Sequence, residues 1–311
     1  MAEILLSLTI IGVVAAITLP SLTGNINERT WNTQRKALYA RFSQAIALMP
    51  ALNGYGTLDS TTDTAAETFV TEGLSKVFKI NNICDNEHLE DCGIPTSFTD
   101  LSGNLVASFP DTLKKFNEQM VSVSFVGSGW GSNGSDLVYN YNDSDKKAAA
   151  FETANGESIV VYYNPNCTSY TETITTYYIQ PNMCANFIYD LNGNKGPNTV
   201  GKDIGFITAL YPSDPVVVAP MPLIRDSADV KHTDINKTCM NQDSESRIPN
   251  INELAALYYN KTLIGINSKT YWSGSVLSSG ENGQAWGVSF NAGYAYPDTR
   301  SKAHPLRCIK R

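Results

Sequence analysis

Residues 3–22 of the 311-residue chain read EILLSLTIIGVVAAITLPSL. After Glu3 this stretch carries no charge, and its run of about 19 residues would form a helix about 28 Å long, enough to cross the hydrocarbon core of a bilayer. A cleaved secretory signal peptide fits less well, because the run begins after an acidic residue and continues into a further helical pattern. The stretch therefore predicts a retained membrane-spanning helix.

Helical periodicity continues beyond Pro20, which removes a helical hydrogen bond and predicts a kink close by. The apolar residues at helical spacing are Trp31, Leu38, Phe42, Ile46 and Leu48, and the basic residues between them are Arg29, Arg35, Lys36 and Arg41. This half is expected to pack its apolar stripe on a globular domain, with its basic face towards water or another subunit. One long helix over residues 1–50 is predicted.

The order of residues from Glu3 to Pro20 resembles the N-terminal helix of type IV pilins and pseudopilins. In that family a basic leader is removed, and the mature chain begins with a methylated aromatic residue shortly before the glutamate. Met1 stands in that region instead, so an engineered or trimmed start is expected. A carboxylate at the edge of an apolar helix is costly in lipid unless it is paired. The resemblance implies that Glu3 neutralises the N-terminal ammonium of a neighbouring subunit during assembly; a glutamate left there by chance is the alternative.

The same resemblance implies other pilin subunits as partners, a place in the bacterial inner membrane before assembly, and then an extracellular filament or the cell surface. The cysteines agree with an extracellular location. Six are present, and local pairing is the simplest of their fifteen connectivities: Cys84–Cys92, Cys167–Cys184 and Cys239–Cys308. Three disulfides require an oxidising compartment. The three histidines, at 88, 232 and 304, are scattered, so a zinc site is not expected.

Residues 51–215 have the pattern of a globular head. A short helix is predicted between Phe69 and Phe78, followed by short apolar or alternating runs separated by Gly, Asn and Asp turns. The predicted strands are Val121–Val126, Leu137–Tyr141, Ser158–Tyr163 and Thr173–Ile179. The expected fold is a long N-terminal helix packed on an antiparallel sheet, as in type IV pilin heads.

Within this region, Asp190, Asn192 and Asn194 alternate oxygen-bearing side chains that can converge on one hard cation. The EF-hand template fails, since its invariant glycine and its glutamate at the twelfth position are both missing. The stretch is similar to the Asp-x-Asn-Gly loop of pilin heads, some of which bind calcium. Asp190, Asn192 and Asp203 are the candidate ligands. A Gly/Asn turn whose side chains cap their own backbone is the alternative.

Four prolines between Tyr211 and Pro222 predict an extended crossover, residues 216–222, between the head and a tail domain, residues 223–311. In the tail, Asn250 is expected to cap a short helix with Ile251, Leu254 and Leu257 facing inward. Strands are predicted around Trp286, Val288 and Phe290 and again from Tyr294, and the Cys239–Cys308 disulfide would join the two ends of the domain.

The tail motifs Thr270–Ser275, Ala285–Tyr294 and Arg307–Ile309 resemble the Lcl-type, C-type-lectin-like domain of bacterial surface proteins. Related domains occur as variable proteins of diversity-generating retroelements. The resemblance implies that Glu281 to Lys302 faces a protein or glycan ligand through Trp286, Ser289, Asn291, Tyr294, Tyr296, Asp298, Arg300 and Lys302. Tyr, Ser and Asn are residues that adaptable binding loops use. A core position is the alternative for Trp272, Trp286 and Phe290.

The predicted fold class is therefore α+β: a pilin-like helix and antiparallel head, followed by a C-type-lectin-like domain. The predicted function is a type IV pilin-like surface or filament subunit that displays an adhesin domain, with a type II secretion pseudopilin as the alternative. The net charge of −7, with 11 basic against 8 acidic residues in 216–311, gives no nucleic-acid footprint. The chain has no G-x-S-x-G, P-loop or H-E-x-x-H motif, so no enzymatic activity is expected.

Overall fold

The structure, a computed structural model, describes residues 30–48, 66–84, 89–95, 97–99, 103–106, 148–163, 182–193, 195–211, 217–218, 227–242, 244, 246–278, 280, 283–291 and 294–310. Within these ranges no helix is both long enough and apolar enough to cross a membrane. The apolar run with Glu3 and Pro20 lies outside the described residues. Three predicted strands lie outside them as well: Val121–Val126, Leu137–Tyr141 and Thr173–Ile179.

Helix α1, residues 30–48, packs on the head through a narrow apolar stripe. Leu38, Phe42 and Ile46 are fully buried, and their four-residue spacing places them on one side of the helix, as predicted. Leu48 is 50% exposed, because the helix turns by more than half a turn over the two residues that separate it from Ile46. The buried stripe thus ends two residues earlier than the sequence pattern indicates.

The described part of the head contains six strands of one sheet: β1 (Ile80–Cys84), β4 (Ala148–Thr153), β5 (Ser158–Tyr163), β6 (Asn182–Asp190), β7 (Ile204–Tyr211) and β8 (Val217–Val218). They are antiparallel and lie in the order β1-β4-β5-β6-β7-β8. A separate pair is formed by β2 (Phe98–Thr99) and β3 (Leu105–Val106). Strand β5 coincides with one predicted strand. Strand β8 comes from the predicted crossover, so part of that segment belongs to the head sheet.

The head also contains the predicted short helix. Helix α2 (Ala66–Thr68) continues as a π-helical turn (Phe69–Gly73) and a 3₁₀ turn (Leu74–Lys76). Phe69 is fully buried in the same cluster as the stripe of α1, and its ring stacks on that of Tyr163 with centroids 4.3 Å apart. These contacts cover one face of the head sheet.

The tail has three helices and seven strands among its described residues. They are β9 (Val230–Lys231), α3 (Ile235–Gln242), β10 (Ser246–Arg247), α4 (Ile251–Tyr259), α5 (Lys261–Ile264), β11 (Thr270–Val276), β12 (Gln284–Ser289), β13 (Tyr294–Thr299), β14 (Ala303–His304) and β15 (Ile309–Lys310). Strands β11, β12 and β13 form an antiparallel sheet, while β9 pairs with β14 and β10 with β15. The first two strands of the tail therefore pair with its last two.

Helix α4 begins with the cap that the sequence predicts. The Asn250 side chain accepts a hydrogen bond from the Glu253 amide at 2.9 Å, and the Glu253 carboxylate accepts one from the Asn250 amide at 2.8 Å. This reciprocal arrangement satisfies two donors that a helix start otherwise leaves unpaired. Leu254 and Leu257 are fully buried, as predicted.

Two of the predicted disulfides are present. Cys84 is bonded to Cys92, with Cα atoms 6.0 Å apart, and Cys239 to Cys308, with Cα atoms 5.7 Å apart. Cys184 is also disulfide-bonded, and its predicted partner Cys167 lies outside the described residues. No described cysteine is a free thiol.

The head sheet is covered on both faces, which explains why all six residues of β5 are buried. On one face Phe187 packs against Phe42 of α1, with ring centroids 4.5 Å apart. On the other face Ile188 belongs to the same hydrophobic cluster as Leu254 of α4. The described parts of head and tail therefore share one core, in an α+β arrangement with antiparallel sheets.

A buried polar contact joins the tail to this second face of the head sheet. The Asn186 amide donates to the Asn260 side-chain oxygen at 2.8 Å, and Thr208 donates to the Asn186 oxygen at 2.7 Å. Asn186 and Thr208 are cross-strand partners on β6 and β7, whereas Asn260 lies between α4 and α5. All three side chains are at least 97% buried. Because buried polar groups need partners, this trio specifies how the tail sits on the sheet.

Candidate functional site

The predicted ligand-facing residues lie on β12, β13 and the turns around them, and the sheet divides them between its two faces. On β13, Tyr296 is the partner of Gly287, and Asp298 is the partner of Ala285. Trp286 alternates with these positions on β12 and packs against the core cluster that contains α4. Trp286 therefore faces away from Tyr296 and Asp298, and one flat ligand would not contact all three.

Asp298 is buried and already paired. Its Oδ1 lies 2.8 Å from Lys302 Nζ and its Oδ2 lies 3.0 Å from His304 Nε2. Burial by itself would raise the pKa of Asp298, but hydrogen bonds from Lys302, His304 and the Thr299 amide outweigh burial and hold the pKa below its ordinary value. The geometry gives Asp298 a structural role in the turn; direct ligand contact by this carboxylate stays a prediction.

Arg300 is held on two sides. Its Nε donates to Nδ1 of His232 at 3.2 Å, and its Nη1 donates to the Gly280 carbonyl at 3.2 Å. The Arg300 backbone contacts the same two segments: its amide donates to the Gly283 carbonyl, and its carbonyl accepts from the His232 amide. The guanidinium is therefore fixed in orientation while remaining partly exposed at the edge of the predicted surface.

Trp272, which is fully buried, lies between Asp298 with its partners and Arg300 with its partners. His232 contacts one part of its ring, with centroids 5.2 Å apart, and His304 contacts another at 4.7 Å, both edge-on. These contacts connect six residues in series, which we call the histidine–tryptophan chain: Lys302, Asp298, His304, Trp272, His232 and Arg300.

The remaining predicted contact residues differ in access to solvent. Asn291 is exposed, Tyr296 is half-buried with its hydroxyl 3.2 Å from Thr270 Oγ1, and the Lys302 side chain is 61% exposed. Ser289 is buried. Tyr294 begins β13 opposite Ser289. Among the predicted residues whose side chains are described, Asn291, Tyr296, Arg300 and Lys302 therefore keep exposed surface away from the core cluster around α4, and Trp286 is partly exposed but packs against that cluster.

Sequence reasoning did not single out His232 or His304 as members of this surface. Each stands alone in its segment, and their proximity depends on the pairing of β9 with β14, which places Val230 opposite His304. Thr270 was likewise not singled out, although its position opposite Ser289 at the start of β11 brings it beside Tyr296. No local signal in the chain could have identified these three residues.

The second candidate site is the loop from Asp190 to Asp203. The Asp190 carboxylate accepts from the Asn192 amide at 3.0 Å, and the Asn192 side chain donates to the Gly196 carbonyl at 2.7 Å. The Asp203 carboxylate accepts from the amides of Asn198 and Thr199, both at 2.8 Å. These bonds are those of a self-capping turn.

Self-capping leaves three buried oxygen atoms without a hydrogen-bond partner: Oδ2 of Asp190 and Oδ1 of Asn192 and Asn198. Burial is the main reason that the pKa of Asp190 rises to about 7, and the charge of Asp203 adds to the rise. Buried acceptors without donors are costly and require an explanation. A bound hard cation would supply the missing partners, because carboxylate and amide oxygens are its usual ligands.

The donor set fits such a cation only in part. Among the described residues, no three His, Cys, Asp or Glu side chains come together, so two carboxylates and the amide oxygens would have to suffice. Asn198 joins the predicted set of Asp190, Asn192 and Asp203, and Asn194 lies outside the described residues. The loop is also tied to α1, since Arg35 donates to the carbonyls of Gly201 and Lys202, at 3.1 and 2.5 Å.

No protein-family model matches the chain, and no curated protein is significantly similar to it in sequence.

Proposed function

We propose that the chain is a type IV pilin-like subunit that carries an adhesin domain. In this proposal the N-terminal helix holds the subunit in the bacterial inner membrane and later joins other pilin subunits, and the C-type-lectin-like tail binds a protein or glycan ligand outside the cell. The role is binding and not catalysis.

One observation carries the proposal: an amphipathic helix, α1, buries Leu38, Phe42 and Ile46 against one face of an antiparallel sheet. That arrangement is what the resemblance of Glu3 to Pro20 leads us to expect of a pilin head. The remaining surface of α1 is open to neighbours: Tyr39 is 36% and Leu48 is 50% exposed, on opposite sides of the helix.

The tail supports the adhesin half of the proposal. Asn291 at the β12–β13 turn, Tyr296 within β13, and Arg300 and Lys302 beyond its other end give the tail an amide, a phenol and two cations that solvent can reach, on a domain closed by the Cys239–Cys308 disulfide. A rigid scaffold with adaptable polar and aromatic groups at its edge is typical of binding surfaces.

Assembly is tested with full-length, epitope-tagged protein in the producing cell. We expect filaments sheared from the surface to contain the tagged chain, Glu3→Ala to remove it from them, and Ser7→Ala, an uncharged neighbour in the same run, to leave it there. A chain that is absent from sheared filaments, but whose deletion blocks protein secretion, would favour the pseudopilin alternative instead.

Ligand binding is tested with the full-length chain on whole cells and on glycan and protein arrays. The double variant Asn291→Ala, Tyr296→Ala should lose binding. Met240→Ala, an exposed change on α3 outside this surface, should keep it. Binding that is the same in wild type and both variants would reject Asn291 and Tyr296 as part of the site.

Diversification by a retroelement is a further part of the proposal. It requires that substitutions in the gene concentrate between Glu281 and Lys302 while the disulfides and the core of the tail stay constant. Deep sequencing of clonal descendants measures this, and an even spread of changes along the gene would reject it.

Cation binding by the 190–203 loop is a second candidate, favoured by the three unpartnered oxygens of Asp190, Asn192 and Asn198. We expect calcium to raise the melting temperature of the wild-type chain and to have little effect on Asn198→Ala. Asn155→Ala, in an exposed turn of the head, is the matched control and should respond like wild type. A melting temperature that stays constant across a calcium titration would leave the self-capping turn as the correct description.

A further inference from the structure

The histidine–tryptophan chain contains a titratable group whose protonation state the geometry defines. Nδ1 of His232 accepts a hydrogen bond from Arg300 Nε, so Nδ1 carries no proton. Nε2 of His232 lies 3.0 Å from the Ser273 carbonyl, which can only accept, so Nε2 carries the proton. Both ring nitrogens are thus committed, and the imidazole is neutral.

From this we propose that neutral His232 is a positioning residue for Arg300, and that protonation of His232 releases Arg300 and loosens the described residues of the 277–283 loop, which are Leu277, Ser278, Gly280 and Gly283. A proton added to Nδ1 would point an N–H at the Arg300 N–H and place two cations in contact. The pair would then separate, because neither group has a lone pair to offer the other.

Release would reach beyond one side chain, because Arg300 holds the tip of the β11–β12 hairpin. Its Nη1 donates to the Gly280 carbonyl and its amide to the Gly283 carbonyl. Val276 and Leu277, at the base of this loop, are 48% and 51% exposed. Freeing Arg300 would therefore loosen a loop with apolar residues at one end and the predicted ligand surface at the other.

The other groups around His232 do not replace Arg300 as its partner. Across the Trp272 ring stands His304, engaged with Asp298 and through it with Lys302. Helix α3 faces this region with Ile235 and the disulfide-bonded Cys239, which do not titrate. Lys231 and Asp234, on either side of His232 in the chain, are exposed.

Burial lowers the pKa of His232, against the Ser273 hydrogen bond, which raises it, and the charge of Arg300 lowers it further. The switch is therefore expected below the ordinary histidine value of about 6.5. At neutral pH Arg300 is bonded to His232 and to the Gly280 carbonyl, and in mildly acidic surroundings these two hydrogen bonds are lost. This inference concerns the loop itself and does not depend on whether the surface binds a ligand.

Hydrogen exchange of the full-length chain tests the inference between pH 7.5 and 4.5, after correction for the intrinsic pH dependence of exchange. We expect the protection of the 277–283 loop to fall about tenfold on acidification, the equivalent of losing one charge-assisted hydrogen bond. His232→Asn keeps an acceptor near the Nδ1 position but cannot titrate, so the loop should stay protected throughout. His232→Gln keeps a donor near the Nε2 position but loses that acceptor, so the loop should be open at every pH.

His304→Gln is the matched control. It removes the second imidazole beside Trp272 and should leave the acid response intact. A wild-type loop that does not respond down to pH 4.5, or that responds equally in His232→Asn, would overturn the inference. Nitrogen NMR of the wild-type imidazoles tests it without any variant: a proton on Nδ1 of His232 at pH 7.5 would also overturn it.

Discussion

Replacing Asn260 by alanine should destabilise the head as well as the tail. In the native chain the Asn260 Nδ2 group donates to Asn186 Oδ1 at 3.1 Å, to Thr208 Oγ1 at 3.2 Å and to the Ala256 carbonyl at 2.8 Å. The Asn260 oxygen accepts the Asn186 amide at 2.8 Å. Truncation removes all four contacts and leaves the buried Asn186 amide without an acceptor.

The size of the effect follows from these bonds. The Asn260 Nδ2 group has two hydrogens, so its three donor contacts amount to two hydrogen bonds, worth about 1 kcal/mol each. The Asn186 donor left unpaired costs about 1–3 kcal/mol more, and we therefore expect a loss of about 3–5 kcal/mol in the free energy of unfolding. An apolar triple variant, Asn186→Val, Thr208→Val, Asn260→Leu, leaves no unpaired group among the three and should lie within about 1 kcal/mol of wild type. Asn236→Ala, at an exposed position on α3, is the control for losing an asparagine.

Urea unfolding gives the free energies, and hydrogen exchange assigns them to regions. Peptides from β6 and β7 of the head and from α4 of the tail should lose protection together in Asn260→Ala. If only the tail loses protection, or if the loss of stability is below about 1 kcal/mol, then the tail is not docked on the head sheet through this trio. Head and tail would then not share one core.

Three further predictions concern single features of the fold. Because the pKa of Asp190 is raised to about 7, the folded state between about pH 4 and 7 holds a proton that the unfolded state has lost, and the free energy of unfolding falls as pH rises through this range. Asp190→Asn removes this loss. In urea unfolding in calcium-free buffer, its stabilising effect should therefore be about 2–3 kcal/mol larger at pH 8 than at pH 5. Equal curves at both pH values would contradict this. Asn250→Ala should cost about 1 kcal/mol by removing the cap of α4, and Asn250→Asp should restore most of it in the same assay. Cys239→Ser with Cys308→Ser should lower the stability of the tail by about 2–5 kcal/mol in hydrogen exchange of α4, and no change would show that the strand pairs alone close the tail.

Local signals predicted local structure well. The run Ser158–Tyr163 became β5 with the predicted bounds, because six successive apolar or small residues suit a strand buried on both faces. Asn250 followed by Glu253 became a capping box, because the two side chains need only the adjacent backbone to form it. Cysteine spacing predicted the two disulfides whose partners are both described.

Features that depend on distant pairing could not be predicted. Asn186 and Asn260 are 74 positions apart, and nothing in either segment indicates that the tail covers the second face of the head sheet. Asp298 has the alternation expected of an exposed strand position, yet it is buried, because the turn after β13 brings Lys302 and His304 over its carboxylate. Period-two patterns identify the two faces of a strand and do not say how many of them are covered.

The Cys239–Cys308 disulfide has a mechanical consequence for a subunit pulled through a captured ligand. Arg300 precedes Cys308 by eight positions, and a fully extended residue spans at most about 3.5 Å, so a ligand held at Arg300 can move no more than about 28 Å from the disulfide even if every fold within the ring is lost. Tension applied at the binding surface would therefore reach the chain before residue 239 after a short extension. The covalent ring makes the tail a short tether under load, with nearly all of its 69-residue span kept out of the stretched path.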